Sequence, residues 1–295
     1  MATVLNRNGL FPEQITSEII NLAKGKSSLA KLSASDPLSF SGNKLFTFSI
    51  DDEVEIVGES EKKNPAGATL EPVNITPVKV VYSYRTSDEF LYATDEYRLG
   101  VLKAARDGMS TKIARGLDIM AFHGVNPRTN EASTHIGDRH FDSKVTQTVT
   151  MTDDANADVE SAIALVQGNE YEITGMAMAP AFRSALAALT KQDGTPVFPD
   201  LSWGGTPGTI KGLTVDTNST VSFKNNTDRA IVGNFRDYFR WGYARNIEYE
   251  VIEYGDPDNT GRDLKGHNEV CIRVEAYIGW GILVPDAFAR IKASA

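Results

Sequence analysis

The chain has 295 residues, 41% of them hydrophobic and 23% charged, which is enough apolar content for one or two cores and excludes a disordered chain. Its formal net charge is −9, from 30 Lys+Arg against 39 Asp+Glu. With no clustered Lys/Arg stripe, that argues against a protein whose work is to grip nucleic-acid phosphates. No run of about 18 apolar residues exists to span a membrane, and Met1-Ala-Thr-Val-Leu-Asn-Arg-Asn8 lacks an apolar signal core. The single cysteine, Cys271, permits no internal disulfide and fits synthesis in a reducing cytosol, so the Asn-x-Thr matches at Asn74, Asn218 and Asn225 carry little weight as glycosylation sites.

Residues 1–43 read as an arm. Phe11-Pro12-Glu13 precedes an amphipathic run, Ile15, Ile19, Ile20, Leu22 and Ala23, at helical spacing. Gly25 ends it, and Ser28, Leu29 and Leu32 lead to the Asp36-Pro37 break. Residues 44–85 predict two strands around a polar tip. Phe46, Phe48 and Ile50 alternate with Thr47 and Ser49, and on return Val78, Val80, Tyr82 and Tyr84 alternate with Lys79, Val81 and Ser83. The tip, Gly58-Glu-Ser-Glu-Lys-Lys-Asn-Pro-Ala-Gly67, is too polar to be core. Such a ribbon would be on the order of 50 Å long, is marginal alone in water, and needs a cover from its own domain or from another chain.

Residues 86–124 predict one long helix, opened by a capping box at Thr86-x-x-Glu89 and closed at His123-Gly124 and Asn126-Pro127. Phe90, Tyr97, Val101, Ala105, Met109, Ile113, Leu117 and Met120 recur at helical spacings. Gly100, Gly108 and Gly116 predict close backbone approach or slight bends. Residues 150–233 read as an α/β unit: helix Asp158 to Val166, buried strand Met176 to Ala179, a helix from Pro180 through Leu189, and strands Leu213–Val215 and Ala230–Val232. Short strands mixed with helices and Gly/Pro turns give the class α+β. Residues 234–284 hold two long strands, Ile247–Tyr254 and Glu269–Val284, around the polar tip 255–263.

No constellation completes a catalytic or metal site. His135-x-x-Asp138-x-His140-x-Asp142 has ligand residue types but no periodicity to fix their geometry, and reads as a solvated loop. Asp256-x-Asp258-x-Thr260-Gly261 begins like a calcium loop, yet position twelve is His267 and not a bidentate Glu. Gly204 to Gly212 is Gly-rich and contains Lys211, but Gly212 stands where a phosphate loop needs Ser or Thr, and Pro207 removes an N–H. There is no nucleophile elbow, and Cys271 sits in a strand pattern as packing. We therefore expect no enzyme and no cofactor.

The order of elements resembles the tailed-phage major capsid proteins of the Hong Kong 97 fold. The resemblance rests on Ser87-Asp-Glu-Phe-Leu91 and Asp118-Ile-Met-Ala-Phe-His-Gly124 at the ends of the long helix. It rests further on Gly194-Thr-Pro-Val197, Trp203-Gly-Gly-Thr-Pro-Gly208, Ile231-Val-Gly-Asn-Phe-Arg-Asp-Tyr-Phe239 and the closing Val284-Pro-Asp-Ala-Phe288. It implies an α+β Hong Kong 97-type subunit: N-terminal arm 1–43, extended β-hairpin or E-loop 44–85, a peripheral domain from 86–149 and 234–284 with its spine helix and long hairpin, and an axial domain from 150–233 and 285–295. The implied function is a major capsid protein that self-assembles into pentamers and hexamers of an icosahedral shell around double-stranded DNA, bound without sequence specificity. The inter-subunit contacts implied are Glu59, Glu61, Lys62 and Lys63 at the E-loop tip, and Asp256, Asp258, Arg262 and Asp263 at the peripheral hairpin tip. Met1 lies close to the arm, so a separate scaffolding protein or none is expected. Portal and decoration proteins are the other partners, and the expected site is the virion, assembled in the host bacterial cytoplasm. The alternatives are an encapsulin-type nanocompartment shell and a soluble carboxylate-dependent hydrolase.

Overall fold

The computed structural model describes residues 27–50, 53–89, 95–224 and 226–294. The amphipathic run at 15–23 falls outside them. The described arm begins with helix α1, Ser28–Leu32, capped by the Ser27 side chain accepting from Ala30 N. It then crosses the end of a sheet: Asp36 N donates to Trp241 O at 2.8 Å. That crossing is close enough that a Cβ on Gly242 would lie 1.8 Å from Asp36 O, and one on Gly279 would lie 2.8 Å from Leu38. Side-chain-free positions are what let the chain pass there.

Strands β1, Asn43–Ile50, and β2, Ala68–Ile75, form an antiparallel ribbon of their own. The return strand is thus Ala68–Ile75 and not the predicted Val78–Tyr84. Pro77 has no N–H to continue a ladder, and beyond it β3, Val78–Ser87, joins a different sheet. Period-two alternation identified β3 as a strand, but alternation does not say which partner a strand takes. The paired part of the ribbon is eight residues long, roughly 27 Å, about half the predicted length.

The spine helix α2 is described over Asp95–His123, roughly 43 Å. Its predicted N-cap is corrected: Thr86 and Ser87 end β3 in pairing with Val270 and Glu269. The side chains of Phe90, Tyr97, Val101 and Ala105 lie outside the described residues. Met109, Ile113, Leu117 and Met120 are buried as predicted. Among the described residues a Cβ on Gly108 would meet nothing within 4 Å.

A three-stranded sheet in the order β3-β10-β9 carries the long hairpin, β9 being Phe239–Ile252 and β10 Glu269–Ile282. Central strand β10 turns Ile272, Val274, Ala276, Ile278 and Trp280 into one cluster with Met109, Ile113, Leu117 and Met120 of α2. Cys271 is buried in β10, consistent with a packing role.

A six-stranded mixed sheet lies beyond, in the order β4-β11-β8-β5-β7-β6. Its strands are β4 Thr148–Thr150, β5 Gly175–Met178, β6 Thr209–Ile210, β7 Leu213–Thr217, β8 Asp228–Gly233 and β11 Phe288–Lys292. Short α3, Phe141–Lys144, precedes it, helices α4, Ala155–Gln167, and α5, Pro180–Ala188, lie within it, and α6, Phe235–Tyr238, follows β8. The helices of 150–233 and the return of the final strand fall where the sequence places them.

Alternation in the sheet divides the core. Met176, Met178, Ala230, Val232, Ala289 and Ile291 face one cluster with α4 and α5. Ala177, Ile231 and Phe288 face the other, which also holds the spine helix and the three-stranded sheet. Both sheets therefore share one apolar cluster. Phe141 is its hub, with ring centroids 5.1 to 6.0 Å from Phe288, Phe122, Phe239 and Phe235. We predict that Phe141→Ala costs about 3–5 kcal/mol and loosens both sheets in one transition, read as a single lowered melting step. Two separated steps would show the sheets to be independent.

Candidate functional site

For a chain with no catalytic motif, the surfaces that project from the core are the candidates. The first is the ribbon. Cross-strand partners share a face, and the register Phe46↔Pro72, Phe48↔Leu70, Ile50↔Ala68 puts these six apolar residues on one side. In a folded subunit that side should be buried. Here Phe48 is 64% exposed, Ile50 68% and Leu70 59%. Beyond the ladder, Glu59, Glu61, Lys62 and Lys63 are exposed. Glu61 accepts from Gly58 N at 2.8 Å and closes the turn. Between the ribbon and Tyr171, Tyr238, Val284 and Pro285 runs an open cleft of about 800 Å³.

The second surface is the tip of the β9–β10 hairpin, and its organising residue is one that the sequence pattern does not reveal. Arg85, in β3, reaches across the sheet edge. Its Nη2 donates to Asp256 Oδ1 at 2.8 Å and Thr260 Oγ1 at 2.9 Å, and its Nε to Asp258 Oδ2 at 2.9 Å. It also bonds Asp258 Oδ1, and Nη1 donates to the Arg262 carbonyl at 2.9 Å and to Glu269 at 3.3 Å. The calcium-like Asp-x-Asp-x-Thr-Gly run is thus wrapped around a guanidinium from the same subunit. Arg85 holds the Asp258 carboxyl well below the usual carboxylate range. Arg262 pairs with Glu269 at 2.7 Å. Asp263 accepts from Gly266 N at 2.8 Å. Three of the four predicted tip residues thus have strong partners within the chain for their charge, and the sequence contains the reason only as an arginine inside a strand otherwise rich in Val and Tyr.

Sequence reading also does not reveal two buried polar knots. In the first, Asp118 of α2 accepts from Ser27 Oγ, from Ser28 N at 3.0 Å, Leu29 N at 3.3 Å, Thr220 Oγ1 at 2.9 Å and Asn218 at 3.3 Å. One carboxylate thereby ties the arm and the 218–220 turn to the spine helix. Burial outweighs these donors and pushes its pKa up to about 6.

In the second knot, Arg290 of β11 donates to Asp228 of β8 at 3.0 and 3.1 Å, and its Nη2 lies 2.9 Å from Asp142 of α3. Asp142 in turn meets His123, the last residue of α2, at 2.9 Å, and Asn226 at 2.8 Å. His123 Nε2 lies 2.9 Å from the Thr220 carbonyl. Of the predicted His135–Asp142 pattern only Asp142 enters this cluster; Asp138 pairs with Lys144 at the surface. His123, Asp142 and Asp228 offer ligand atoms within 4.8 Å of one another, but the Arg290 guanidinium already supplies positive charge to both carboxylates.

Among the described residues no helix is long and apolar enough to cross a membrane. The arm, the lone ribbon, the spine helix with its three-stranded sheet and the six-stranded sheet compose the Hong Kong 97-like fold of a shell-building structural protein. The profile described as Phage capsid family matches residues 8–293, and the chain belongs to that family, whose members form the head shell. A solved chain from Mycobacterium phage Ogopogo is 32% identical, with a TM-score of 0.80 over 91% of this chain and 92% of that one. One from Gordonia phage Cozz is 26% identical, with a TM-score of 0.76 over 91% and 87%. The capsid of an empty gene-transfer-agent particle shares the fold, with a TM-score of 0.65 at 13% identity over 92% and 90%. No curated protein matches. Of the readings weighed from sequence, the phage head shell is the one these likenesses carry.

Two predictions follow the geometry of the knots and the tip. Arg85→Ala leaves Asp256 and Asp258 to repel one another without their guanidinium, while Glu269 keeps Arg262. We expect subunit melting to change little and hydrogen exchange at 255–269 to rise several-fold; unchanged exchange would show that the tip holds its own shape. The second concerns pH. Burial, then the neighbouring Asp142 carboxylate, push Asp228 up to about 6, while His123 and Arg290 hold Asp142 at about 2 against its burial. Asp228 and Asp118 therefore add stability that is full below 3.8 and lost as pH rises through about 6. His123, raised above 6.5 by Asp142 against its burial, acts in the same direction at slightly higher pH. The melting temperature should fall between about pH 4 and about pH 6, and Asp228→Asn should remove part of that fall. A pH profile identical in Asp228→Asn and the parent would place the titration elsewhere.

Proposed function

We propose that copies of this chain close pentamers and hexamers of an icosahedral head around double-stranded DNA, by laying the apolar face of the β1–β2 ribbon on a neighbouring copy. The observation that supports this most directly is the uncovered stripe of Phe46, Phe48, Ile50 and Leu70. Burying what remains exposed of these four side chains contributes a gross stabilisation of roughly 4–8 kcal/mol per ribbon, before the cost of association. An exposed stripe of this size in a lone subunit invites aggregation; a lattice of identical neighbours covers every copy at once.

In this reading the exposed charges Glu59, Glu61, Lys62 and Lys63 at the ribbon tip orient the contact. Repeated surface pairs, each usually worth under about 1 kcal/mol, then act at many places in a shell. The hairpin tip meets its copies as a preformed unit. Arg85 neutralises Asp256 and Asp258 inside each subunit and Glu269 pairs with Arg262, so that Asp263 is the predicted tip residue whose charge is left for contact. The net charge of −9 suits a wall that encloses DNA without gripping it. A scaffolding protein, a portal and decoration proteins are further partners of this assembly, which takes place in the bacterial cytoplasm, where the lone buried thiol Cys271 stays reduced.

The test is a charge placed on the stripe. Phe48→Asp and Leu70→Asp should leave subunit circular dichroism and melting within about 1 kcal/mol of the parent, because both sites are exposed in the subunit. Both should lower the yield of closed particles in electron micrographs by at least about tenfold. Normal shells from either variant would reject the ribbon as the apolar contact. Loss of folded subunit would show that the stripe packs on its own chain.

A further inference from the structure

One side chain stands apart from every contact described so far. Trp203 is fully exposed, at 105% of its reference area. It does not dangle. The turn that carries it, the 3₁₀ segment Pro199–Gly204, is anchored by Leu201 in the core. Gly205 N donates to Ser202 O at 3.1 Å, and Arg183 of α5 holds Gly205 O at 3.2 Å. A Cβ on Gly205 would lie 2.2 Å from Asp200 O, so the turn is closed as tightly as a glycine permits. Trp203 itself has φ +55° and ψ +28°, the left-handed region that a bulky aromatic residue adopts only against a cost. The chain thus spends backbone strain to hold its largest side chain out in water.

Its place in the fold says what meets it. The turn runs directly into β6, Thr209–Ile210, the edge strand of the six-stranded sheet. An edge presents unpaired backbone groups, which proteins cover or shield, and the edge of a sheet is a side of the subunit. From Leu201 through Ile210 there is no charged residue. Charges of both signs border the turn, Asp200 and Lys211 in sequence and Arg183 through Gly205, so it offers no uniformly basic face to the phosphates of DNA. A like-charged copy of a chain with net charge −9 can approach this turn without repulsion. Rigid, pre-positioned tryptophans are the side chains that dominate protein interfaces, since little entropy is lost on docking.

We propose that Trp203 is a lateral docking residue, received by a second copy of this chain in the shell wall. The inference rests on the shell function of the family and adds a contact separate from the ribbon.

The chain contains its own probe. Of its three tryptophans, Trp241 and Trp280 are buried in the core, so the water-exposed emission of the subunit belongs to Trp203. The experiment compares the full-length parent and Trp203→Phe, as intact shells verified by electron microscopy and as subunits dissociated in dilute guanidinium with circular dichroism retained. The difference between parent and variant isolates the Trp203 signal. Subunits should show a red-shifted component quenched by acrylamide. In shells that component should move to shorter wavelength and lose several-fold in quenching. Shells in which Trp203 remains as quenchable as in subunits would overturn the proposal while leaving the shell reading intact; failure to form shells at all would strike that reading instead. Protection that arises only when a different capsid component is added would overturn the assignment to a second copy. As an independent arm, Trp203→Ala should lower shell yield about tenfold or more with subunit melting unchanged, and wild-type yield from that variant would also overturn the proposal.

Discussion

The ion cluster of Arg290, Asp228, Asp142 and His123 is the interaction on which the rest of the subunit depends. It joins the final strand, the middle of the six-stranded sheet, the α3 turn and the C-terminal end of the spine helix. Buried charge is costly to remove from water, and removing one member of such a set typically costs about 3–5 kcal/mol. Arg290 is therefore surrounded on all sides: it also donates to the carbonyls of Asp142, Phe141 and Val145 at 2.8 to 3.3 Å. Those carbonyls are what place the Phe141 ring among Phe122, Phe235, Phe239 and Phe288. The polar knot fixes geometry, and the aromatic cluster beside it supplies the apolar burial.

Asp118 extends the same logic to the arm. The arm and the helix meet through one carboxylate with donors from both sides, so the start of the described chain is set relative to the spine helix and the 218–220 turn at once. Arg85 does so at the distal end. In each case a charge that would disfavour burial or self-association is satisfied within the chain. Apolar surface is left exposed instead, most plainly in the ribbon stripe and at Trp203. A shell subunit gains from that division. In the proposed assembly, polar groups resolved internally leave directionless apolar surface to supply the drive to associate.

The ribbon shows how narrow the margin is. Two strands of eight residues form a ladder with no third strand beside them among the described residues, which in isolation is marginal. Its base is fixed by Ile75, which lies against Gly281 of β10, and its far end carries the Gly58–Glu61 turn and a side-chain bridge from Asn64 to Glu55 at 3.0 Å.

The sequence by itself determined the kind and order of the elements. Alternation marked β1 and β3, and three- and four-residue spacing marked the C-terminal half of the spine helix. The α/β order of 150–233 and the motifs at its turns were specific enough to indicate the capsid fold. These are local properties, governed by the 3.6- and two-residue periods of the backbone. Only the tertiary structure decided which strand pairs with which, because Val78–Tyr84 alternates equally well beside β1 or beside β10, and Pro77 settles the matter only once the sheet is assembled. Likewise only the fold brings Arg85 to Asp256 across 171 residues of chain, and Arg290 to Asp142 across 148. A lone charged residue in a strand or helix carries no local signal of its partner. The partner is chosen by the desolvation cost at a site that exists only after the chain has closed around it.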